Sequence, residues 1–254
     1  MPSSKSLARF IEPMLLTPAR MLPEGANWSY EVKLDGYRAL AVKSGGRVQL
    51  RSRNDKDLRY PAVVSALDAL PDEAVVDGEV VALDGAGRPS FNALQNLGSA
   101  ATPIVYYAFD VLVLGGQDVM SEPLAKRRDL LREQVLPKLG EAVRESPVLE
   151  ASLGDLVEVV RAQGLEGLVA KRLDSRYEPG QRSGAWQKMR TNRAQEFVIG
   201  GYTPGARNFD PLIFGYFNGN RLIYVGRTRS GFTPVLGRNS SGYSGDWNPL
   251  SARS

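Results

Sequence analysis

Four residues near the start of the chain have the types and spacing for nucleophilic chemistry on a phosphate. Lys33, Asp35, Gly36 and Arg38 form the pattern K-x-D-G-x-R. A lysine amine attacks phosphorus only when it is neutral, and an isolated lysine titrates near ~10.4, so burial and nearby cations are needed to favour the neutral form. This motif alone is moderate support for an active site, and a charged surface hairpin with a D-G turn is the alternative.

The composition removes several other kinds of catalysis. The 254 residues include no histidine and no cysteine. An imidazole base, a Ser-His-Asp or Cys-His arrangement, a zinc site with the usual ligands and iron–sulfur chemistry are therefore excluded. Catalysis must depend on Lys, Asp, Glu, Ser, Thr or Tyr side chains, or on a hard metal held by oxygen atoms.

The hydrophobic and charged fractions, 43% and 24%, are ordinary for a globular protein with a sizeable core. The longest apolar run, residues 104–114, is too short to span a bilayer, and no signal peptide is recognisable, so we expect a cytoplasmic protein. The net charge of +4 arises after residue 192, and two further stretches, 37–60 and 171–193, are basic. Such clusters favour an anionic, even polyanionic, partner, although solvated surface faces explain them equally well.

The residue pattern predicts a mixture of hairpins and helices. A strand, turn and strand occupy residues 28–53, with a tight hairpin turn at Gly45-Gly46. Further strands are predicted over 74–83, 104–114 and 167–172, and helices over 61–70, 90–97, 124–136 and 153–163. Because β-α-β alternation is missing, the predicted fold class is α+β.

The pattern changes after Arg193. Three strands are predicted over 195–202, 212–217 and 221–227, with no helical pattern between them, followed by a Ser-, Gly- and Asn-rich stretch. We therefore expect one domain over residues 1–192, a small all-β unit over 193–237 and an irregular tail over 238–254.

Further segments follow the K-x-D-G-x-R motif in a fixed order. They are Arg51-Ser52-Arg53-Asn54, Asp77-Gly78-Glu79, Phe109-Asp110, Glu166-Gly167 through Lys171, and Trp186 with Lys188 and Arg190. Together with the motif, they resemble the covalent nucleotidyltransferase superfamily of ATP-dependent DNA ligases, RNA ligases and mRNA-capping enzymes. Residues 107–112 and 196–202 are most similar to the ligase domain of bacterial end-joining ligases. The resemblance implies an ATP-grasp-like adenylyltransferase domain of antiparallel sheets with flanking helices, followed by a partial OB-fold.

The resemblance also implies roles for individual residues. Lys33 would attack the α-phosphate of ATP to give a lysyl-AMP, and Asp35 would position Lys33 or a metal-bound water. Phe109 would stack on adenine while Glu31 reads the base edge, although an aromatic residue in an apolar strand is as often plain core.

A set of cations is expected around the phosphates. Arg38 and Arg53 match family positions that contact AMP and the 5′-phosphate of a nick, a role that suits the guanidinium fork. Lys171 and Lys188 would favour the neutral nucleophile and neutralise developing charge. Arg190 replaces the second lysine of the family's K-x-K segment, so its role is less closely defined.

Glu79 and Glu166 correspond to the family's acidic pair near the ribose and the metal, which would be Mg²⁺ or Mn²⁺. Each is next to a glycine, which favours close backbone approach over a solvated carboxylate at a strand end. Magnesium keeps several waters, so few protein carboxylates are needed.

The implied activity is ATP-dependent sealing of nicks in DNA. Expected partners are nicked or broken double-stranded DNA and a Ku-type end-binding protein, with the enzyme acting as a monomer at the bacterial nucleoid. RNA ligation, capping-type guanylyl transfer and a non-catalytic nick-binding module remain alternatives. Because the basic C-terminal segment of the family's OB-fold is not recognisable in residues 238–254, we expect lysine adenylylation from ATP to be weakened relative to sealing of an adenylylated nick.

Overall fold

A computed structural model describes residues 8–95, 102–191, 197–204 and 209–228. The chain divides into two compact units, residues 1–192 and 193–254, which are described separately below.

The first unit is built from two sheets. Its strands are β1 (Thr17–Pro18), β2 (Trp28–Val32), β3 (Tyr37–Ser44), β4 (Arg47–Ser52), β5 (Ala74–Ala82), β6 (Ile104–Leu114), β7 (Gln117–Asp118), β8 (Val143–Glu145), β9 (Val148–Leu149), β10 (Gly167–Arg172) and β11 (Trp186–Arg190). One sheet has the order β1-β11-β10-β2-β9, and the other has the order β4-β3-β5-β6-β7 with β8 beside β6. Most pairs are antiparallel, although β1 pairs with β11 and β8 pairs with β6 in parallel. The chain crosses from one sheet to the other between β2 and β3, which is where the K-x-D-G-x-R motif lies.

Strands β5 and β6 form the centre of the second sheet because both are apolar along almost their whole length. Two acidic residues interrupt these runs, Asp77 in β5 and Asp110 in β6, and they lie opposite each other in the register. Both are fully buried. A buried carboxylate is tolerated only where cations or hydrogen-bond donors meet it, so these two positions indicate buried ion pairs.

Among the described residues, four α-helices flank the sheets: α1 (Pro61–Ala66), α2 (Phe91–Gln95), α3 (Leu124–Leu130) and α4 (Leu153–Ala162). The prediction for α4 is confirmed, since the Ser152 hydroxyl accepts a hydrogen bond from the Asp155 N–H and Gly164 has a φ of +66° just past the helix end. Ser90 accepts in the same way from the Ala93 N–H at the start of α2. Residues 96 and 97 of that predicted helix lie outside the described residues.

Two helix predictions were wrong in extent. The predicted helix over 124–136 is α-helical only to Leu130. The chain then forms one turn of π-helix over Leu131–Val135 and one turn of 3-10 helix over Leu136–Lys138. Pro137 has no N–H to donate and cannot continue an α-helix, which accounts for the irregular end. Helix α1 ends at Ala66 rather than Leu70, and Leu67 and Leu70 are buried in the turn that follows the helix.

The described part of the second unit is a three-stranded antiparallel sheet. Its strands are β12 (Val198–Pro204), β13 (Phe209–Asn218) and β14 (Arg221–Thr228), in the order β12-β13-β14. All three strands were predicted, with ends that differ by up to three residues where they can be compared, and residues 195 and 196 of the first predicted strand lie outside the described residues. The predicted tail over 238–254 lies outside the described residues. Within the described ranges, no helix has the length and apolar character needed to cross a membrane.

Candidate active site

The turn between β2 and β3 places Lys33 beside the start of β10. The Lys33 N–H donates to the Gly167 carbonyl over 2.8 Å, which continues the pairing of β2 with β10. Lys33 lies in the wall of a cleft with about 470 Å³ of empty space, open to solvent. The cleft is lined by Leu16, Glu31, Val32, Lys33, Leu34, Arg38, Glu79, Phe109, Ser146, Val169, Lys171 and Trp186.

The ammonium of Lys33 is paired with a carboxylate. Its Nζ atom donates to Oε2 of Glu166, and the other oxygen of Glu166 lies 3.2 Å from Nε of Arg190. From the sequence we expected cations around Lys33, but Arg38 and Lys171 are each bound to other carboxylates. Lys188 is close enough for an electrostatic effect, since burial and then the charges of Lys33 and Arg190 lower its pKa.

Two further carboxylates, those of Glu79 and Asp35, are close enough to Lys33 for an electrostatic effect. Burial raises the pKa of Glu79 to about 7, against the opposing charges of Arg38 and Lys33. Burial and the neighbouring Glu166 also raise the pKa of Asp35. Lys33 is therefore surrounded by three acidic side chains, of which Glu79 is half protonated near neutral pH.

The glycines beside Glu79 and Glu166 are sites of close backbone approach, as predicted. A Cβ atom on Gly78 would lie 2.5 Å from the Tyr106 ring and 2.6 Å from the Tyr107 carbonyl oxygen. A Cβ atom on Gly167 would overlap the Met189 carbonyl oxygen. Any larger side chain at either position would force the neighbouring strands apart.

The opposite end of the cleft is a buried network around Glu31. Its carboxylate accepts hydrogen bonds from Arg128, from Lys171 at 3.1 Å and from the Ser146 hydroxyl at 2.9 Å. Burial alone would raise the pKa of Glu31, but Lys171 and Arg128 outweigh it, so the pKa is lowered. Glu31 was predicted to read the base edge, and most of its hydrogen-bonding capacity is used by these three partners.

Aromatic rings surround Lys171 at this end. Its Nζ atom lies 3.8 Å from the Phe109 ring centroid and 4.6 Å from that of Trp186. Burial lowers the pKa of Lys171 to about 8 although Glu31 opposes the shift. Phe109 was predicted either to stack on adenine or to be a plain core residue, and its position fits both. It packs in a core cluster with Trp186 and also lines the cleft.

Arg38 lines the cleft, but its guanidinium group is held by the protein. Nε and Nη2 donate to the two oxygens of Asp77 at 3.0 and 2.6 Å, and Nη1 donates to the Met14 carbonyl at 2.6 Å. The Tyr177 hydroxyl donates to the same carboxylate over 2.6 Å. Burial opposes the charge of Arg38, but Asp77 outweighs this and raises its pKa. Arg38 therefore contributes a fixed positive charge to the cleft wall.

The structure does not bring every predicted residue into the cleft. Arg53 is exposed in the turn after β4, and Asp35, Glu166, Lys188 and Arg190 are not among the lining residues, although Glu166 contacts Lys33, which is one of them. Sequence reasoning missed Ser146, Val169 and Arg128. Of these three, only Arg128 could have been found from the sequence. It is spaced four residues after Leu124 and three before Leu131, and this helical spacing predicts that it lies on the buried face of α3.

The two ends of the cleft differ in what they can bind. One offers a lysine amine among carboxylates, and the other offers an aromatic face beside a buried ammonium. A phosphate ester attached to a flat base matches this arrangement. The buried Nε1 of Trp186 has no hydrogen-bond partner among the described residues, so its N–H can donate to a polar ligand in the cleft. In the described ranges, no cluster of three or more acidic side chains has metal-binding geometry.

Comparison with known proteins shows the family. Residues 10–190 match the family model of the ATP dependent DNA ligase domain. The chain belongs to this family.

Individual relatives include LigD, a multifunctional non-homologous end joining protein of Mycolicibacterium smegmatis, which is 36% identical over 229 residues. That match covers 87% of this chain and 30% of the relative, so the chain spans about a third of the length of LigD. DNA ligase C1 of the same organism is 38% identical over 210 residues, covering 76% of this chain and 60% of C1. Among solved structures, mycobacterial DNA ligase D complexed with ATP and MES is 33% identical with a TM-score of 0.67, covering 91% of this chain and 76% of that one.

Proposed function

We propose that this chain is an ATP-dependent DNA ligase that seals 5′-phosphate/3′-hydroxyl nicks through a lysyl-AMP formed on Lys33. The observation that carries the proposal is the position of Lys33 in one cleft with Phe109 and Lys171. Family membership and the end-joining relatives support the choice of DNA and ATP as substrates.

The proposed reaction has three steps. The Lys33 ammonium loses a proton, and the amine attacks the α-phosphorus of ATP, so that an N–P bond forms as the P–O bond to pyrophosphate breaks. The 5′-phosphate of the nick then attacks the same phosphorus, which breaks the N–P bond and gives an adenylylated DNA end. Finally the adjacent 3′-hydroxyl attacks the 5′-phosphate, a phosphodiester forms and AMP leaves.

The residues of the cleft serve different parts of this reaction. Glu166, in contact with Lys33, orients the amine, and Asp35 supports it electrostatically. Phe109 stacks on adenine, and Val169 lines the same cleft. Lys171 stabilises the bound nucleotide.

The proposed phosphate contacts come from basic residues around the cleft. Arg38 adds charge from its fixed position. The exposed Arg53 and Arg190 and the half-buried Lys188 lie outside the cleft lining and are proposed to contact the phosphates of ATP and of the nick.

We propose that Mg²⁺ or Mn²⁺ is held near Lys33 by Glu79 and Glu166. Two carboxylates suffice for an ion that keeps most of its waters and takes phosphate oxygens as ligands. When bound, the ion supplies charge neutralisation at the phosphates. Glu79 must be deprotonated to bind it, and its pKa of about 7 makes metal binding sensitive to pH around neutrality.

The relatives' role in end joining supports broken or nicked duplex DNA as the substrate in bacterial repair. We propose a Ku-type end-binding protein as a partner, and action as a monomer in the cytoplasm at the nucleoid. The three antiparallel strands β12, β13 and β14 support the interpretation of residues 193–237 as a partial OB-fold, which would bind the duplex.

Incubation with labelled ATP and a divalent cation, followed by a denaturing gel, tests the function. We expect label on the wild-type protein, no label on Lys33→Ala, and sealing of nicked DNA by the wild type only. Lys43→Ala is the matched control, because Lys43 on the neighbouring strand donates only to the Asp68 carbonyl at the surface. Labelling by GTP in place of ATP would indicate a capping-type enzyme. Sealing of nicked RNA but not DNA would indicate an RNA ligase, and unchanged DNA binding with no labelling would indicate a non-catalytic module.

A further inference from the structure

Arg128 lies outside the cleft lining, yet it is bound to the network at the cleft's buried end. It is only 4% exposed, on α3. Nη1 donates to the Ser29 hydroxyl at 2.6 Å, and Nη2 donates to Oε1 of Glu31. Ser29 and Glu31 alternate along β2, so their side chains leave the strand on the same face. One guanidinium group therefore holds two positions of the strand that ends at the K-x-D-G-x-R motif.

Glu31 in turn holds the ammonium group of Lys171. The two oxygens of Glu31 lie 2.9 and 3.1 Å from the Lys171 Nζ atom, and the second also accepts from Ser146. Lys171 is in turn the cation nearest the Phe109 face. The contacts thus run without interruption from Arg128 through Glu31 to Lys171 and the aromatic wall of the cleft.

The guanidinium group is suited to this position for a geometric reason. Its planar fork donates along two fixed directions, here to a hydroxyl and a carboxylate, whereas an ammonium is a compact point charge. Both oxygens of Glu31 already face Lys171, so loss of Arg128 would remove the donor that fixes the orientation of the carboxylate, and the position of the Lys171 ammonium over the Phe109 ring would change with it.

We propose that Arg128 is a positioning residue for the nucleotide-binding cleft, holding the Glu31 carboxylate in the orientation that fixes the Lys171 ammonium over the Phe109 ring. The proposal rests on the proposed function, because it assumes that ATP occupies the cleft.

The first test is Arg128→Lys, which keeps the buried charge but loses the fork. The ATP concentration for half-maximal labelling should rise about tenfold, equivalent to about 1.4 kcal/mol, while the labelling rate at saturating ATP changes less. This split is expected because Lys33 and Glu166 lie at the other end of the cleft and are unaltered.

Arg127→Lys is the matched control. Arg127 is the adjacent residue on α3, is equally buried and pairs with Asp110 through two bonds of 2.7 Å, but Asp110 does not line the cleft. This variant should unfold more easily with little change in the ATP dependence. An unchanged ATP dependence in Arg128→Lys, or an equal shift in both variants, would overturn the proposal.

A pH measurement separates positioning from general loss of structure. The charged groups that face Lys171 are Glu31 from β2, Arg128 from α3, Asp110 from β6 and Arg38 from β3, whose guanidinium group lies over the same Phe109 ring. Because Arg128 lowers the pKa of Lys171, Arg128→Met should raise it. In a Lys33→Ala background, ATP affinity should decline as the pH passes about 8, and Arg128→Met should move that decline to higher pH. A decline that does not move contradicts the proposal.

The two failures can be told apart. If the wild-type protein is not labelled by ATP, the proposed function fails. If the wild type is labelled and Arg128→Lys has the same ATP dependence as wild type, only the role of Arg128 is wrong.

Discussion

The two ends of the cleft hold their charges in opposite ways. At the open end, Lys33 and Glu166 are partly exposed, and Glu166 is shared with the exposed Arg190. At the closed end, Glu31, Lys171 and Arg128 are all buried and joined by hydrogen bonds. A partly exposed ion pair can exchange partners with a ligand at little cost, whereas a buried pair is fixed before the ligand arrives. The open end is thus suited to chemistry and the closed end to recognition.

Replacing the glutamate at each end by glutamine should give the largest difference between the two ends in the free energy of unfolding. Glu31→Gln leaves two buried cations without their anion and should lower the free energy of unfolding by about 3–5 kcal/mol. Glu166→Gln should lower it by about 1 kcal/mol or less, because Lys33 can turn toward water. Urea unfolding of the two variants measures both values. Similar losses in the two variants would mean that the ends do not differ in this way.

Removal of the Phe109 ring from the cleft should have the next largest effect. Phe109→Ala should cost about 3 kcal/mol of stability by leaving a cavity, and it should also reduce the stabilisation that ATP gives. Phe91→Ala is the control, because Phe91 packs against Tyr37 outside the cleft. Thermal unfolding with and without ATP would show an ATP-dependent difference for Phe109→Ala alone. A normal ATP effect in that variant would assign Phe109 to the core only.

Titration of Glu79 should give a smaller effect at the open end. Its folded-state pKa of about 7 is raised above the ordinary 4.5, so the folded protein retains a proton that the unfolded chain releases. The stabilisation is complete below about pH 4.5 and is lost as the pH rises through about 7, amounting to at most about 3 kcal/mol. In metal-free buffer, the stability difference between wild type and Glu79→Gln should change across this window. A constant difference would show that Glu79 is already ionised at low pH.

The smallest effect is expected at Arg190. Its side chain is 68% exposed, so Arg190→Ala should change the free energy of unfolding by less than about 1 kcal/mol, and added salt should reduce the difference further. Chemical unfolding at low and high salt measures this. A larger loss that persists in salt would place Arg190 in the fixed part of the site and weaken the contrast between the two ends.

The sequence predicted more of the fold than of the site's contacts. Strands β6 and β10 have the predicted bounds, because apolar runs bounded by turn residues define buried strands. The end of α3 was predicted wrongly, since the π-helical and 3-10 segments that follow it have only five and three residues, too few for a change of hydrophobic period to show in the sequence. The motifs predicted that Lys33, Phe109 and Lys171 share one site, and all three line the cleft. The motifs could not show that Arg38 is bound to Asp77 or that Glu166 contacts Lys33.

The sequence by itself determined the chemistry open to this protein. The absence of histidine and cysteine excluded imidazole and thiolate chemistry, and K-x-D-G-x-R with the segments that follow it indicated the family to which the chain belongs. Only the tertiary structure decided which charges meet. Glu31, Arg128 and Lys171 are far apart in sequence, and each resembles an ordinary charged residue in its own segment. They become a network because β2, α3 and β10 bury them at one place, where each charge is stable only beside the others.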